Sequence, residues 1–248
     1  MVKKPSFDVV VPVYNEEKEL KESIGKLAVF LNNNFGDFDW FIYIVDNAST
    51  DNTWLIAKEL AQNMSKVVAQ HLHQKGRGMA VKYIWQKTKS DIVAYMDVDL
   101  STDLKHFPPL VHALTGGYDL AIGSRNAQGA QVYGRNLLRT ITSKGYMMLI
   151  KLLFWVHFSD AQCGFKAVTR KVVKNVLPKV KDNEWFFDTE LLILAEKMGY
   201  RIYEEPVTWI DNPGSTVRVM KTMQGDIIGL WRLFRTRPWL TKKDYGRN

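Results

Sequence analysis

The protein has 248 residues, of which 46% are hydrophobic, 12% aromatic and 24% charged, and its formal net charge is +8. These proportions exclude a disordered chain, because regularly spaced apolar residues can bury enough surface to fold, and the single cysteine, Cys163, excludes a disulfide-built scaffold. We therefore expect a globular protein that resides in a reducing, cytoplasmic compartment.

The chain shows no pattern typical of a secretory signal or a membrane span. Residues 1–5 lead directly into a strand-like run, without the apolar core of a signal peptide. The longest apolar stretches, 146–156 and 227–234, are each interrupted by a basic residue and are shorter than the roughly 20 apolar residues that a spanning helix needs. We expect that the chain does not cross a bilayer.

Strand and helix patterns alternate over the first hundred residues. The β-branched run FDVVVPV is typical of a buried parallel strand, and apolar residues at helical spacing mark the helix that follows it. This alternation predicts right-handed crossovers and a mainly parallel sheet between helices, with ligands bound at the carboxyl ends of the strands. Strands are predicted at 7–13, 41–45, 67–72 and 92–96, and helices at 15–31, 51–62 and 78–88.

Polar residues follow each of these four strands. Carboxylates follow three of them, in the segments PVYNE, DNASTD and DVD, and the glycine-flanked KGRG follows the other. Each loop alone could be a helix cap or a turn. Together, at one edge of a sheet, they predict a cation site in which Asp97 and Asp99 bind Mg²⁺ or Mn²⁺, because these ions prefer oxygen ligands. The diphosphate of a nucleotide would supply the remaining ligands.

Positive charge is concentrated in the second half of the chain. Residues 133–174 contain eight Lys/Arg and a single acidic residue, Asp160, whereas residues 1–100 contain twelve Lys/Arg and thirteen Asp/Glu. This asymmetry predicts a surface for an anionic partner, which could be nucleic acid, lipid headgroups or a phosphorylated substrate. The alternative is a solvated basic face without a ligand.

The motifs PVYNE, VDNASTD, KGRG and MDVD resemble the inverting family 2 glycosyltransferases, which have the GT-A fold. In the second half, GSRNAQGA, DAQCGFKAVTR, WFFDTELL and PVTWIDNPGSTVRV resemble the polyprenyl-phosphate sugar synthases, a group that includes the dolichyl-phosphate mannose and glucose synthases. The resemblance covers about residues 6–235. It implies one catalytic domain at 1–235, with a nucleotide-binding half at about 6–125 and an acceptor-binding half at about 126–220, followed by an amphipathic basic segment at 221–248.

The resemblance also implies roles for individual residues on the donor side. Asp97 would contact the ribose or the metal, and Asp99 would bind the metal directly. Ser101 stands where archaeal relatives have a glutamine ligand and is the third candidate. The other residues implied to bind the nucleotide sugar are Pro12, Tyr14, Glu16, Val45, Asp46, Lys75 and Val98.

The acceptor implied by the resemblance is a polyprenyl phosphate, which is an anion near neutral pH and can attack without a general base. Arginines that position it would then suffice. The candidates are Arg125, Arg135, Arg139 and Arg218, with the hydroxyl of Ser143.

A saccharide hydroxyl acceptor would instead require a base, for which Asp188 is the candidate. Asp188 could equally be the N-cap of a helix that contains the apolar run 191–195. A third hypothesis is a non-catalytic module that binds nucleotide or nucleic acid. A carboxylate cluster would repel phosphates unless a cation intervened, and no RNA-binding aromatic signature is present, so we expect no nucleic-acid partner.

Two amphipathic segments predict binding to an anionic membrane on its cytoplasmic face. Their apolar residues are flanked by basic ones, a composition suited to lipid headgroups. The alternative is that these helices pack on the catalytic core, and a separate subunit could supply an anchor. The residues concerned are Met148, Leu149, Leu152, Leu153, Trp155 and Val156 with Lys144 and Lys151, then Ile227, Ile228, Trp231 and Phe234 with Arg232 and Arg235, and in the tail Arg237, Trp239, Lys242 and Lys243.

Overall fold

The computed structural model describes the backbone of residues 4–211 and 219–240, and the side chains of 4–211 and 223–240. Arg218, Lys242 and Lys243, which were predicted to bind the acceptor or the membrane, lie outside the described residues.

The described elements alternate between strands and helices along most of the chain. The strands are β1 (Ser6–Val13), β2 (Asp39–Asn47), β3 (Val67–Leu72), β4 (Ile92–Met96), β5 (Leu120–Ser124), β6 (Gln131–Tyr133), β7 (Phe165–Thr169), β8 (Ile202–Pro206) and β9 (Thr208–Ile210). The helices are α1 (Leu20–Asn34), α2 (Thr53–Asn63), α3 (Arg77–Lys87), α4 (Phe107–Thr115), α5 (Leu137–Phe154), α6 (Arg170–Asn175), α7 (Phe187–Lys197) and α8 (Val219–Thr236), with 3₁₀ turns at Leu104–His106 and Leu177–Lys179.

A seven-stranded sheet in the order β3-β2-β1-β4-β7-β5-β8 forms the centre of the protein. Its pairs are parallel except where β7 runs antiparallel to both β4 and β5. The short strands β6 and β9 form a separate parallel pair. The predicted mainly parallel sheet is therefore confirmed, and the carboxyl ends of β1, β2, β3 and β4 share one edge.

Helices cover both faces of this sheet because successive side chains of a strand point to opposite faces. In β1, Val9 and Val11 belong to a core that also contains residues of α1, α2 and α4, whereas Val10 belongs to a second core with residues of α3, α5, α6, α7 and α8. Both sets are fully buried. The sheet thus carries a hydrophobic core on each face, so a ligand can reach it only at the edges where the loops lie.

The predicted helix at 15–31 was wrong at its start, because α1 begins at Leu20. Asn15 has a left-handed backbone (φ 56°) and ties its loop to the loop after β2. Its backbone N–H donates to Ser49 Oγ at 3.0 Å, and its Oδ1 accepts from the Thr50 backbone N–H at 2.8 Å. These contacts fix residues 14–16 as a loop at the edge of the site rather than as a helical turn.

Candidate active site

A cleft of about 1190 Å³ lies at the carboxyl ends of the parallel strands and extends between α5 and α8. Val45 and Asp46 do not line it: both are buried, and Asp46 Oδ2 is 2.6 Å from Nδ1 of His71. The cleft brings together thirteen of the residues that the sequence singled out, namely Pro12, Tyr14, Glu16, Lys75, Asp97, Val98, Asp99, Ser101, Arg125, Arg135, Arg139, Ser143 and Asp188.

Asp97 and Asp99 follow β4 directly, and the backbone holds Asp97 in place. The Asp97 backbone N–H donates to the Gly164 carbonyl oxygen at 3.1 Å, and a Cβ at residue 164 would overlap the Asp97 carboxylate. Only glycine therefore permits this approach. Asp99 accepts hydrogen bonds from the backbone N–H of Ser101 at 3.0 Å and from its hydroxyl at 2.7 Å.

Negative charge is crowded at this end of the cleft. Burial, followed by the charges of Glu19, Asp99, Asp51 and Asp97, raises the pKa of Glu16 to about 7. Enclosure also raises the pKa of Asp97, with a smaller contribution from Asp99, although the Arg77 guanidinium opposes the shift. Such a cluster favours a cation.

A divalent cation fits the donor set of Asp97 and Asp99 only if a substrate supplies part of its coordination. Carboxylate and hydroxyl oxygens are the ligands that Mg²⁺ and Mn²⁺ prefer. Within the described residues, no three His, Cys, Asp or Glu side chains converge closely enough to hold an ion alone. An ion bound to Asp97 and Asp99 would therefore have to take its remaining ligands from a substrate, such as phosphate oxygens.

Asp188 lies inside the first turn of α7, where it is buried and ion-paired. Its Oδ2 accepts from Nη1 of Arg77 at 2.6 Å, and its Oδ1 lies 2.9 Å from Nζ of Lys166 and accepts from the Tyr95 hydroxyl. Burial alone would raise the pKa of Asp188, but the charges of Lys166 and Arg77 hold it below its usual value. The predicted N-cap role is wrong, because Phe186 occupies the N-cap position.

The KGRG segment explains how Arg77 reaches this position. A Cβ at Gly78 would lie 2.5 Å from Cβ of Phe187, so a glycine is required where the first turns of α3 and α7 touch. Close packing of these two turns puts Arg77 between Asp188 and Asp97, whose Oδ1 accepts from Nη2 at 2.7 Å. Sequence reasoning treated KGRG as a basic turn and missed this role of Arg77.

The basic side of the cleft contains three arginines in different states. Arg125 forms a two-point ion pair with the buried Asp160 (Nε–Oδ2 2.7 Å, Nη2–Oδ1 3.0 Å), and Nη1 of Arg139 donates to Asp211 at 2.8 Å. Arg135 has no hydrogen-bond partner among the described residues, and burial, followed by the charge of Arg125, lowers its pKa. An anion in the cleft would compensate this crowded positive charge.

Sequence reasoning also missed several residues whose neighbours are distant in the chain. The lone acidic residue of the basic region, Asp160, was a signal that could have been used, since a single buried carboxylate among arginines is usually paired. Asn47 and Asp226 line the cleft, and each has a buried side-chain oxygen with no partner among the described residues. Their sequence neighbourhoods carry no corresponding signal.

Residues 8–177 match the family model described as Glycosyl transferase family 2. The chain belongs to glycosyl transferase family 2. It is 32% identical to glycosyltransferase AglD of Haloferax volcanii over 241 residues, which cover 95% of this chain but 38% of AglD. It is 31% identical to dolichyl-phosphate beta-glucosyltransferase ALG5A of Trichomonas vaginalis (94% of this chain, 75% of ALG5A), and 29% identical to dolichol-phosphate mannosyltransferase of Pyrococcus furiosus (93% and 63%).

Solved structures agree with this glycosyltransferase in fold. The glucosyl-3-phosphoglycerate synthase of Mycobacterium tuberculosis, in complex with Mn²⁺, UDP-glucose and phosphoglyceric acid, superposes with a TM-score of 0.67 at 17% identity, covering 93% of this chain and 79% of that one. The mannosyltransferase PcManGT of Pyrobaculum calidifontis, in complex with GDP-Man and Mn²⁺, gives 0.60 at 15% identity (93% and 64%). The predicted family and GT-A fold are confirmed.

Beside the cleft, α5 packs against α8 and the two helices of the glycosyltransferase expose a shared apolar surface. No described helix is long and apolar enough to cross a membrane. Of the residues predicted to face lipid, Val156 is buried in the core, Leu153 is half-buried against the core, and Trp239 lies half-buried against Phe154. We call the remaining exposed set the α5–α8 surface: Leu137, Leu138, Ile141, Met148, Leu149, Leu152, Trp155, Ile227, Ile228, Trp231 and Phe234.

Proposed function

We propose that this glycosyltransferase transfers a hexose, mannose or glucose, from a nucleotide sugar such as GDP-mannose or UDP-glucose to a polyprenyl or dolichyl phosphate. The reaction would invert the anomeric carbon and use Mg²⁺ or Mn²⁺. Relatives named as dolichyl-phosphate glucosyl- and mannosyltransferases support this acceptor class, and structural neighbours in complex with Mn²⁺ support a divalent ion. The catalytic domain proposed at 1–235 would provide the whole site.

The state of Asp188 is the observation that carries the proposal. Both carboxylate oxygens of Asp188 are already held, one by Arg77 and the other by Lys166 and Tyr95. A carboxylate with a lowered pKa and fixed counter-ions is a weak proton acceptor. This favours an acceptor that needs no deprotonation, such as a phosphate monoester near neutral pH. It disfavours the alternative of a saccharide hydroxyl with Asp188 as base.

On the donor side, Asp97 and Asp99 would hold the ion. When bound, the divalent ion would neutralise the negative charge that develops on the leaving nucleoside diphosphate. Tyr14 and Lys75, whose Nζ lies 4.0 Å from the centre of the Tyr14 ring, would form one wall of the nucleotide pocket. Arg77 keeps Asp97 oriented by donating to it from two nitrogens.

On the acceptor side, Arg135 would take the phosphate, because its guanidinium has no described partner. Arg125 and Arg139 are positioned by Asp160 and Asp211, and would add charge without needing to reorganise when the anion binds. The phosphate oxygen would thereby be fixed for attack on the anomeric carbon.

The α5–α8 surface would bring the enzyme to the membrane in which the acceptor is dissolved. Leu149 and Ile227 belong both to this surface and to the cleft wall, so an acceptor chain could pass from lipid into the site without crossing water. Lys144 and Lys151 of α5 and Arg235 of α8 would meet anionic headgroups on the cytoplasmic face. A separate anchoring subunit is the alternative.

The function can be tested with purified protein, a panel of nucleotide hexoses and a short-chain polyprenyl phosphate, with Mn²⁺, with Mg²⁺ or with EDTA. We expect mass spectrometry to detect a polyprenyl-phosphate hexose with one or two donors and either metal, and none with EDTA. NMR of the product should show the anomeric configuration opposite to that of the donor. Absence of lipid-phosphate product with every donor would contradict the proposal.

A further inference from the structure

One carboxylate in the wall of the cleft lacks a partner for one of its oxygens. Asp226 belongs to α8, is only 3% exposed and lines the cleft. Nε2 of Gln162 donates to its Oδ2 at 2.8 Å, whereas its Oδ1 is shielded from solvent and has no hydrogen-bond partner among the described residues. Burying a carboxylate oxygen without a donor is costly, so this oxygen is suited to accept a hydrogen bond from a ligand.

The charges around Asp226 restrict which ligand that can be. Burial raises the pKa of Asp226 to about 7; the hydrogen bond from Gln162 opposes this shift, and the negative charges of Asp182 and Asp188 add to it. No cation is ion-paired with Asp226 among the described residues. In its ionised form Asp226 would repel an anionic group, whereas a neutral hydroxyl could donate to Oδ1 without adding charge.

Packing of α8 fixes Asp226 relative to the rest of the cleft. Both terminal nitrogens of Arg232 donate to the buried carboxylate of Glu190, at 2.7 and 2.9 Å. A Cβ at Gly229 would overlap the ring of Phe186, so the helix lies directly on the start of α7. A group positioned in this way can discriminate between ligands, because its orientation does not need to be ordered on binding.

Asp226 is also connected to the acceptor side of the cleft. Its partner Gln162 donates its backbone N–H to Asp160 at 3.0 Å, and Asp160 holds Arg125 on the acceptor side. Of the parts of the proposed substrates, the diphosphate and the acceptor phosphate are both anions. The hexose is neutral and rich in hydroxyls, which matches a buried carboxylate oxygen that lacks a hydrogen-bond donor.

We propose that Oδ1 of Asp226 accepts a hydrogen bond from a hydroxyl of the transferred hexose, and that Asp226 thereby selects the donor sugar. This inference rests on the proposed function. The hydroxyl would approach Oδ1 from the cleft that Asp226 lines. Asp226 is a specificity-determining residue and takes no part in proton transfer.

The inference can be tested with nucleotide hexoses that each lack one hydroxyl. In the wild-type enzyme, kcat/KM should fall about 10- to 100-fold for the donor that lacks the contacted hydroxyl. In Asp226→Ala that penalty should disappear, while the penalties for the other deoxy donors remain. Gln224→Ala, at an exposed position of the same helix, is the matched control and should keep the wild-type pattern.

The possible outcomes separate the inference from the function on which it rests. Affinity for the nucleoside diphosphate alone, measured by calorimetry, should be unchanged in Asp226→Ala. An active variant that keeps every wild-type penalty overturns the inference and leaves the function standing. A wild-type enzyme that uses no nucleotide hexose overturns both. If Asp226→Ala does not fold, Asp226→Asn should reduce the penalty at the same single position, and an unreduced penalty overturns the inference.

Discussion

Arg77 and Asp188, which are 111 residues apart in the chain, form a salt bridge in which Nη1 and Oδ2 are 2.6 Å apart. The other edge of the same guanidinium binds Asp97, and the other oxygen of Asp188 is 2.9 Å from the fully buried Lys166. The carboxylate end of the cleft is thus connected to the start of α7. This network fixes the orientation of both carboxylates, and the charges of Lys166 and Arg77 hold the pKa of Asp188 below its usual value.

Asp188→Asn should destabilise the fold, because it leaves Arg77 and Lys166 buried without their shared counter-ion. Removing one partner of a buried ion pair typically costs about 3–5 kcal/mol of the free energy of unfolding. Urea denaturation should show this loss, whereas Asp37→Asn, at an exposed surface position, should change little. A variant as stable as the wild type would contradict the network described here.

The same pair predicts how stability depends on pH. The pKa of Asp188 in the folded protein lies below its usual value of 3.8, so its stabilisation is complete above that pH and is lost as the pH falls through the folded value. The difference in unfolding free energy between the wild type and Asp188→Asn should be constant near neutral pH and should narrow in acid. If the difference in unfolding free energy grew as the pH fell, it would contradict a lowered pKa for Asp188 in the folded protein.

Asp99→Asn should abolish transfer and severely weaken metal-dependent binding of the donor. One charged oxygen ligand is lost, and the amide that replaces it cannot compensate a divalent cation. Calorimetry of nucleotide-sugar binding with and without Mn²⁺ measures the effect, with circular dichroism as the check on folding. Unchanged affinity in the presence of metal, together with normal turnover, would remove Asp99 from the ion site.

Arg135→Ala should raise the KM for the acceptor and lower its kcat/KM by about 10- to 100-fold, the value of roughly 1.5–3 kcal/mol for a charged hydrogen bond. Affinity for the donor should change little. The kcat/KM of Arg135→Lys for the acceptor should fall between those of the wild type and Arg135→Ala, because lysine keeps the charge but loses the two-point geometry. Arg201→Ala, immediately before β8 on the opposite edge of the sheet, is the control. Equal acceptor kinetics in Arg135→Ala and Arg201→Ala would exclude the role of Arg135.

The first half of the site was predictable because local sequence determines it. Short buried strands followed by carboxylates place Glu16, Asp97 and Asp99 at one sheet edge by topology alone. The ion pairs Arg77–Asp188 and Arg125–Asp160 were not predictable, since each joins residues from different elements and depends on how α3, β5 and α7 pack. The late start of α1 depends in the same way on Asn15, whose side chain bonds a loop 35 residues further along the chain.

The α5–α8 surface should bind anionic vesicles, because it combines exposed aromatic and aliphatic side chains with basic flanks. Replacing Trp155 and Trp231, which are 82% and 64% exposed, with alanine should reduce sedimentation with vesicles that contain phosphatidylserine. Turnover on a water-soluble short-chain acceptor should survive. Leu55→Ala, at an apolar site on α2 that is 57% exposed and lies outside this surface, should bind as the wild type does. If the wild-type protein does not bind anionic vesicles even at low salt, the role of this surface is contradicted and a separate anchoring subunit is favoured.

A matched pair of acceptors tests most directly whether the enzyme transfers the hexose to a phosphate rather than to a hydroxyl. A short polyprenyl phosphate and the polyprenol of the same chain length differ only in the phosphate. With one active nucleotide hexose and Mn²⁺, kcat/KM should be at least about a hundredfold higher for the phosphate, since the arginines bind it and the hydroxyl finds no free base. Transfer to the polyprenol, or to a saccharide hydroxyl, at an equal or higher kcat/KM would contradict this account.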